Sequence, residues 1–111
     1  MDVTSIESCI RRCLVVARNR NEKLIIVHGG AGGADMICDR VCRELGVERI
    51  IVNPDWGRYG SRAGFLRNQQ MLDENKDIER AYAFSLNDSS GTRDMIIRAR
   101  RSGIPVYVNQ G

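Results

Sequence analysis

Apolar residues recur every three or four positions near the start of the chain. Thr4 and Glu7 have the spacing of a helix-capping box, and the apolar positions around them are Ile6, Cys9, Ile10, Cys13, Leu14 and Ala17. A second stripe comprises Ala34, Ile37, Cys38, Val41, Cys42 and Leu45, and it stops before Gly46. Because each stripe lies on one helical face, the pattern predicts two amphipathic helices in the first half of the chain.

Short continuous apolar runs separate the helical stretches. They predict strands at 23–28, 49–53, 80–84 and 104–108, and further helices at 62–76 and 92–102 complete the order αβαβαβαβ. Such strands, alternating with helices, are typical of a parallel sheet with helices on both faces. Ligands bind beyond the carboxyl ends of the strands in these sheets, so we expect the loops that follow the first three strands to meet on one rim.

Length and composition fit one α/β domain spanning residues 1–111. The hydrophobic fraction is 42%, the charged fraction is 28% and the net charge is +3. This charge permits an anionic ligand, but no dense basic run indicates nucleic acid, and Arg98, Arg100 and Arg101 fit a solvated helix face. No apolar run approaches the roughly 20 residues of a membrane span, and no signal peptide is visible. We therefore expect a cytoplasmic protein that does not enter a membrane.

The four cysteines form two pairs with four-residue spacing, Cys9 with Cys13 and Cys38 with Cys42. The spacing allows two thiolates on one helix face to bind a metal. Since each cysteine also belongs to an apolar stripe, packing of reduced thiols in the core is the favoured interpretation. We expect no metal site and no cofactor.

The stretch HGGAGGAD at 28–35 joins a predicted strand to a predicted helix. It matches neither the dinucleotide fingerprint nor the P-loop, yet a glycine turn before a helix presents backbone N–H groups that suit an anion. Gly29, Gly30, Gly32 and Gly33 are therefore candidate ligand-binding residues. Asp35 either caps the helix or binds a ribose hydroxyl. His28 either titrates near neutral pH or lies neutral and hydrogen-bonded under the loop.

Two further loops carry candidate chemistry. In the loop after the second strand, Trp56 and Tyr59 are aromatic residues in polar surroundings, and Trp56 either stacks on a nucleobase or seals the loop. Arg58, Arg62 and Arg67 supply guanidinium groups that suit phosphate or carboxylate. The loop after the third strand ends in hydroxyl-rich positions that form a candidate phosphate cup: Ser89, Ser90, Gly91 and Thr92, with Thr92 as the predicted N-cap. The alternative for this loop is a well-capped turn without a ligand.

The segments HGGAGGAD, PDWGRYGSRAGFLRNQQML, GTRDM and GIPV occur in this order from about residue 23 to the end. Together they resemble the YspA/YpsA-related branch of the SLOG superfamily, whose relatives include the LOG nucleoside-monophosphate phosphoribohydrolases and the DprA DNA-processing proteins. The most specific part is the DWxxYGxxAGxxRN stretch, and its fixed positions here are Asp55, Trp56, Tyr59, Gly60, Ala63, Gly64, Arg67 and Asn68.

The resemblance implies a Rossmann-like fold that binds a nucleotide or a nucleotide-derived ligand. In LOG enzymes an arginine and a glutamate cleave an N-glycosidic bond; Arg67 matches the arginine, and Asp94 lies near the position of the glutamate. Gly91 and Thr92 match the end of the PGGxGT loop of those enzymes. Asn68 belongs to the same motif, so it joins the expected ligand-binding set.

Three features depart from the family pattern. Gly32 stands where relatives carry a basic residue, and SLNDSS replaces the PGG segment. The family also has a strand ahead of the first helix, central in the sheet between 24–28 and 80–84. Three explanations of the missing strand are open. The two flanking strands pair directly, a partner subunit covers their edges, or the given sequence begins downstream of the natural start. An edge left open favours a homo-oligomer, with a symmetric dimer as the default.

Four functions compete at this point. The leading hypothesis is a protein that senses or sequesters a small nucleotide-derived ligand. The second is a phosphoribohydrolase that uses Arg67 and Asp94. The third is a DprA-like module for single-stranded DNA, which the weak positive charge disfavours. The fourth is a degenerate relative that only associates with itself or with a protein partner.

Overall fold

The protein is an α/β structure in which helices and short parallel strands alternate. The computed structural model describes residues 3–84 and 90–109. In chain order the elements are α1 (Val3–Asn19), β1 (Ile25–His28), α2 (Ala34–Leu45), β2 (Glu48–Ile51), α3 (Trp56–Tyr59), a 3-10 turn (Gly60–Arg62), α4 (Ala63–Glu74), β3 (Ala81–Phe84), α5 (Ser90–Arg101) and β4 (Val106–Asn109). The predicted α/β class is confirmed.

The sheet differs from the single four-stranded sheet that the sequence predicted. In the described residues β1 pairs in parallel with β2, from Ile25 opposite Glu48 to His28 opposite Ile51. Strand β3 pairs in parallel with β4, from Ala81 opposite Val106 to Phe84 opposite Asn109. The result is two two-stranded sheets, because β1 and β3 form no ladder with each other.

Helix α1 joins the two strand pairs through the core. Its Ile6 and Ile10 are buried with Val41, Cys42 and Val47 around α2. Ile26 from β1 and Phe84 from β3 pack against this same cluster. Burying one such aliphatic side chain contributes about 1.5–3 kcal/mol. Side-chain packing therefore holds together two sheets that no backbone ladder connects.

The helix boundaries follow local chemistry. Gly46 adopts the left-handed conformation with φ 69°, and its N–H bonds to the carbonyls of Arg43 and Cys42, so the predicted end of α2 is confirmed. The loop after β2 contains a short helix that the sequence did not predict. It starts where the Asp55 carboxylate accepts a hydrogen bond from the Arg58 N–H at 3.1 Å. Among the described residues, no helix is long and apolar enough to cross a membrane.

Candidate functional site

His28 is buried beneath the glycine loop with both ring nitrogens engaged. Its Nδ1 accepts a hydrogen bond from the Gly30 N–H at 3.1 Å, and its Nε2 lies 2.9 Å from Oδ1 of Asp39. An Nδ1 that accepts leaves the ring proton on Nε2, which then donates to the carboxylate. The imidazole thus ties the start of the loop to α2.

Asp39 is the centre of a buried charged cluster. Besides His28, it bonds to Nε of Arg49 on β2 and lies 3.2 Å from Nε of Arg43. The hydrogen bond from His28, followed by the bond and charge of Arg49, lowers the pKa of the Asp39 carboxyl below its usual range. Sequence reasoning missed this cluster. Its signal was Arg49, a charged residue at the start of an apolar strand that needed a carboxylate partner.

Asp35 is turned back onto the glycine loop. Its Oδ2 accepts from the N–H groups of Gly29 and Ala31, both at 3.2 Å. Neither predicted role of Asp35 describes this contact, since α2 has Gly33 as its N-cap and no side-chain cap there. With Gly30 bonded to His28, three successive N–H groups of the loop are taken up by side chains of this chain. An anion at Gly29 or Ala31 would have to displace a carboxylate.

The later glycines of the loop have a different environment. Gly32 and Gly33 are exposed at the start of α2, and a Cβ added at either one would meet no atom within 4 Å. Gly30, by contrast, has φ +66° and lies against β2, where an added Cβ would be 3.2 Å from Cγ2 of Ile51. The part of the loop that is open to a ligand is therefore the end near α2.

Arg67 and Asn68 on α4 connect the glycine loop with α5. The Arg67 guanidinium donates through Nη1 to the Gly29 carbonyl and through Nε to Oδ1 of Asn68 at 3.0 Å. Buried Asn68 donates through Nδ2 to the Gly91 carbonyl and to Oδ2 of Asp94, both at 3.1 Å. This continuous network joins the segments that follow β1 and β3. Two of the three expected loops thus meet through α4.

Asp94 is also held by a cation. Nε of Arg98, one turn further along α5, lies 2.7 Å from Oδ2 of Asp94, and Nη1 of Arg98 donates to Gln69 at 3.0 Å. The same carboxylate oxygen therefore accepts from Asn68 and from Arg98. A carboxylate in such a position is well suited to orient α4 against α5, and its negative charge is largely compensated.

The third predicted loop lies partly outside the described residues, including Ser89. Helix α5 begins at Ser90, so Thr92 lies inside the first turn and is not the N-cap that the sequence predicted. Within the described residues the helix starts two residues earlier than its apolar periodicity indicated. Ser90 is exposed, and Gly91 and Thr92 are partly buried.

The aromatic residues of the second loop are exposed on α3. Trp56 is 59% exposed and Tyr59 43% exposed, and the Arg58 guanidinium lies 5.2 Å from the centre of the Tyr59 ring. The indole passes close to Gly64 at the start of α4, where an added Cβ would be 3.7 Å from Cη2. Trp56 is thus not a buried plug for the loop, and its ring is open to a planar partner.

Comparison with known proteins adds one relative. The chain is 42% identical over 88 residues to the Gene 61 protein of Mycobacterium phage D29, a match that covers 75% of this chain and 69% of that protein. No protein-family model matches the chain. No solved structure matches it either.

Proposed function

The chain belongs to the family of that phage Gene 61 protein, and for this member we propose binding of a small nucleotide-derived ligand at the rim formed by the glycine loop, α4 and the start of α5. The observation that carries the proposal is the network from the Gly29 carbonyl through Arg67 and Asn68 to Gly91 and Asp94. It brings residues from separate segments to the carboxyl ends of β1 and β3, where ligands bind in parallel α/β proteins.

Phosphate recognition is assigned to the side of the rim near α5. The backbone N–H groups of the first turn of a helix and its positive dipole end favour an anion, and Arg67 supplies a guanidinium close to Gly91 through Asn68. The exposed Gly32 and Gly33 at the start of α2 offer a second N–H-rich edge. The earlier part of the glycine loop is excluded, since Asp35 and His28 already accept its N–H groups.

The exposed indole of Trp56 supports the nucleotide part of the proposal. A solvent-exposed tryptophan on a short helix next to α4 can stack on a base, a contact that is worth about 1–3 kcal/mol and that tolerates any base. In this proposal Trp56 and Tyr59 contact the base, while Arg67 and the residues Ser90, Gly91 and Thr92 contact the phosphate. His28 and Asp35 hold the loop without touching the ligand.

Binding without turnover is the preferred form of the proposal. Oδ2 of Asp94 already accepts from Asn68 and from Arg98, so this oxygen holds α4 against α5 and is not free to take a proton from a substrate. The second candidate is an N-glycosidase of the phosphoribohydrolase type. It is favoured by one observation, that Arg67 and Asp94 both hydrogen-bond to the same side chain, Asn68.

We extend the proposal to the fold relationship with the SLOG superfamily and to self-association. The strands form two parallel pairs, α1 packs against α2, and α4 packs against α5. This arrangement is compatible with a Rossmann-like fold that lacks its central strand ladder. Exposed Ile25 on β1 and Ile50 on β2 offer apolar area to a second copy, and a symmetric dimer is the expected assembly. Sedimentation at micromolar concentration tests the dimer.

Thermal unfolding with a ligand panel tests the binding proposal. The panel contains AMP, ADP-ribose, NAD, cyclic dinucleotides and inorganic phosphate. A ligand present at a hundredfold excess over its Kd stabilises the folded state by about 2.7 kcal/mol. Arg67→Ala should abolish the shift, whereas Arg62→Ala, an exposed arginine just before α4, should retain it. A shift that survives Arg67→Ala, or no shift with any nucleotide, contradicts the proposal.

Turnover is tested on the ligand that the panel identifies. Release of free base from that nucleotide would favour the glycosidase, provided that Asp94→Asn abolishes release and preserves the thermal shift. Binding without base release by the unmodified protein supports the binding function alone.

A further inference from the structure

A cavity lies between α1 and the strand pair β3 and β4. Its volume is about 190 Å³, and its lining residues are Cys9, Arg12, Tyr82, Phe84, Tyr107 and Val108. None of these residues belongs to the glycine loop or to the hydrogen-bond network of Arg67 and Asn68. The cavity is therefore separate, in its residues, from the rim to which we assign nucleotide binding.

Aromatic rings form the main wall of this cavity. Tyr82 and Tyr107 are directly opposite each other in the ladder of β3 and β4, and their rings stack with the centres 5.4 Å apart. Because side chains alternate between the two faces of a strand, Phe84 lies on the same face as Tyr82. The tyrosines are 37% and 54% exposed, so helix α1 covers this aromatic face only in part.

The charged group in the lining is Arg12 of α1, and it is exposed. Its neighbour Arg11 pairs with Glu7 at 3.6 Å, whereas Arg12 has no ion pair with a carboxylate in the part of the chain that the structure describes. No acidic residue lines the cavity. Arg80, exposed and two residues ahead of Tyr82, adds a second positive charge to this region. The opening therefore favours an anionic group.

The volume limits the size of the ligand. An apolar protein cavity of about 150 Å³ holds one benzene molecule, so 190 Å³ accommodates a single six-membered ring with one small substituent. Aromatic rings pack favourably against one another in offset or edge-to-face geometry. A guanidinium group binds a carboxylate through two parallel hydrogen bonds. Ring, charge and volume together select one class of small molecule.

We propose that this cavity is a second binding site, and that its ligand is a single-ring aromatic carboxylate. The ring of the ligand lies against Tyr82, Tyr107 and Phe84, and its carboxylate meets the Arg12 guanidinium at the opening. A neutral ring gives Arg12 no counter-charge, and a carboxylate without a ring makes no contact with the aromatic wall. Selectivity therefore requires both groups in one molecule. This site does not depend on the proposed nucleotide binding.

Fluorine NMR of para-fluorobenzoate with the full chain tests the proposal. Binding broadens the fluorine resonance of the ligand, and titration gives the Kd; we expect broadening at millimolar ligand. para-Fluorobenzamide has nearly the same shape without the charge, and it should bind about tenfold more weakly, which corresponds to about 1.4 kcal/mol. Trifluoroacetate, an anion without a ring, should show no broadening. Equal affinities for the benzoate and the benzamide, or no broadening of the benzoate, would overturn the proposal.

Two arginine variants locate the carboxylate. Arg12→Gln removes the charge, keeps most of the side-chain length and should weaken para-fluorobenzoate binding about tenfold. Arg11→Gln is the matched control, because Arg11 is its exposed neighbour on α1 and does not line the cavity. The control should keep the affinity of the wild type. If both variants weaken binding equally, the effect is one of net charge, and the role of Arg12 is wrong.

Variants of Tyr107 test the aromatic wall. Tyr107→Ala removes one of the two stacked rings and should abolish binding, whereas Tyr107→Phe keeps the ring and should retain it. Tyr107 is outside the buried core cluster, and thermal unfolding without ligand checks that both variants fold. Binding that survives Tyr107→Ala unchanged contradicts the assigned wall.

Arg67→Ala separates this site from the nucleotide rim. The variant should keep its affinity for para-fluorobenzoate although it loses the nucleotide-induced thermal shift, because Arg67 does not line the cavity. AMP should likewise leave the fluorine signal of the bound benzoate unchanged. Loss of benzoate binding in Arg67→Ala, or displacement of the benzoate by AMP, would overturn the existence of a separate site. The two proposals can therefore fail independently of each other.

Discussion

His28 at the end of β1 and Asp39 on α2 are joined by a hydrogen bond of 2.9 Å between Nε2 and Oδ1, although both side chains are almost wholly buried. The same imidazole also accepts a hydrogen bond from the Gly30 N–H, so His28 links Asp39 to the glycine loop. The conformation of the glycine loop thus depends on a helix residue outside the loop.

Replacing His28 by Phe should destabilise the fold while preserving ring volume. The change leaves the Gly30 N–H without its acceptor and removes one of the donors to Asp39, which keeps Arg49 and Arg43. An unsatisfied buried polar group costs about 1–3 kcal/mol. Urea unfolding measures the loss. Lys23→Ala, which breaks the exposed pair between Lys23 and Glu48, is the control and should change stability by less than about 1 kcal/mol. Equal effects of the two substitutions would refute a structural role for the imidazole.

Asp39 should make stability depend on acid pH. Its carboxyl pKa is lowered in the folded state by the His28 hydrogen bond and by Arg49. The stabilisation is therefore fully present above the unfolded-state pKa of about 4 and is lost as pH falls through the lower folded-state value. Urea unfolding from pH 2.5 to 7 should show this decline in the wild type. The decline in the free energy of unfolding should be shallower in Asp39→Asn, which we expect to be less stable at neutral pH. If the pH profiles of the two proteins are parallel, the Asp39 carboxylate is not the cause of the decline.

Gly29→Ala should impair ligand binding more than folding. A Cβ at this position would lie 2.6 Å from Cζ of Arg67, so the guanidinium must move away from the Gly29 carbonyl. A flexible side chain relieves this clash at small energetic cost, and stability should change little. Ligand-induced thermal shift should fall as it does in Arg67→Ala, and the double variant should lose no more than either single one. Arg62→Ala, at an exposed position just before α4, is the control and should retain the ligand-induced shift.

Asn68→Ala should uncouple α4 from α5. The side chain is 4% exposed and bonds to Arg67, Gly91 and Asp94. Its removal takes one hydrogen bond each from the Gly91 carbonyl and from the Asp94 carboxylate, which keeps its bond from Arg98, and it leaves Nε of Arg67 without that acceptor. We expect a loss of about 1–3 kcal/mol for each buried group that stays unsatisfied. Chemical unfolding gives the value. Gln70→Ala on the exposed side of α4 removes only a bond to Glu74 and should cost a few tenths of a kcal/mol. A loss of only a few tenths of a kcal/mol in Asn68→Ala would show that water molecules replace these hydrogen bonds.

The local sequence pattern was sufficient to predict the helices and strands, but not how the strands pair into sheets. The spacing of Ile6, Cys9 and Ile10 predicted α1, and Gly46 predicted the end of α2, because helical periodicity and a left-handed terminus are properties of neighbouring residues. In place of the predicted single four-stranded sheet, the described residues form two two-stranded parallel sheets. Which strand lies beside β1 depends on contacts between segments far apart in the chain, and α1 holds β1 and β3 through side chains without a shared ladder.

The same distinction between sequence pattern and folded structure applies to the candidate site. The residue pattern alone predicts that glycines follow β1, that Arg67 and Asn68 lie together on one helix and that Asp94 lies near the start of another. Their hydrogen-bond partners could be read only from the folded structure: Arg67 with the Gly29 carbonyl, Asn68 with Asp94, Asp35 with the loop N–H groups and His28 with Asp39. Hydrogen bonds are directional and short in range. Packing of whole helices and strands must therefore bring these groups within about 3 Å before any bond forms, and that packing is a property of the entire chain.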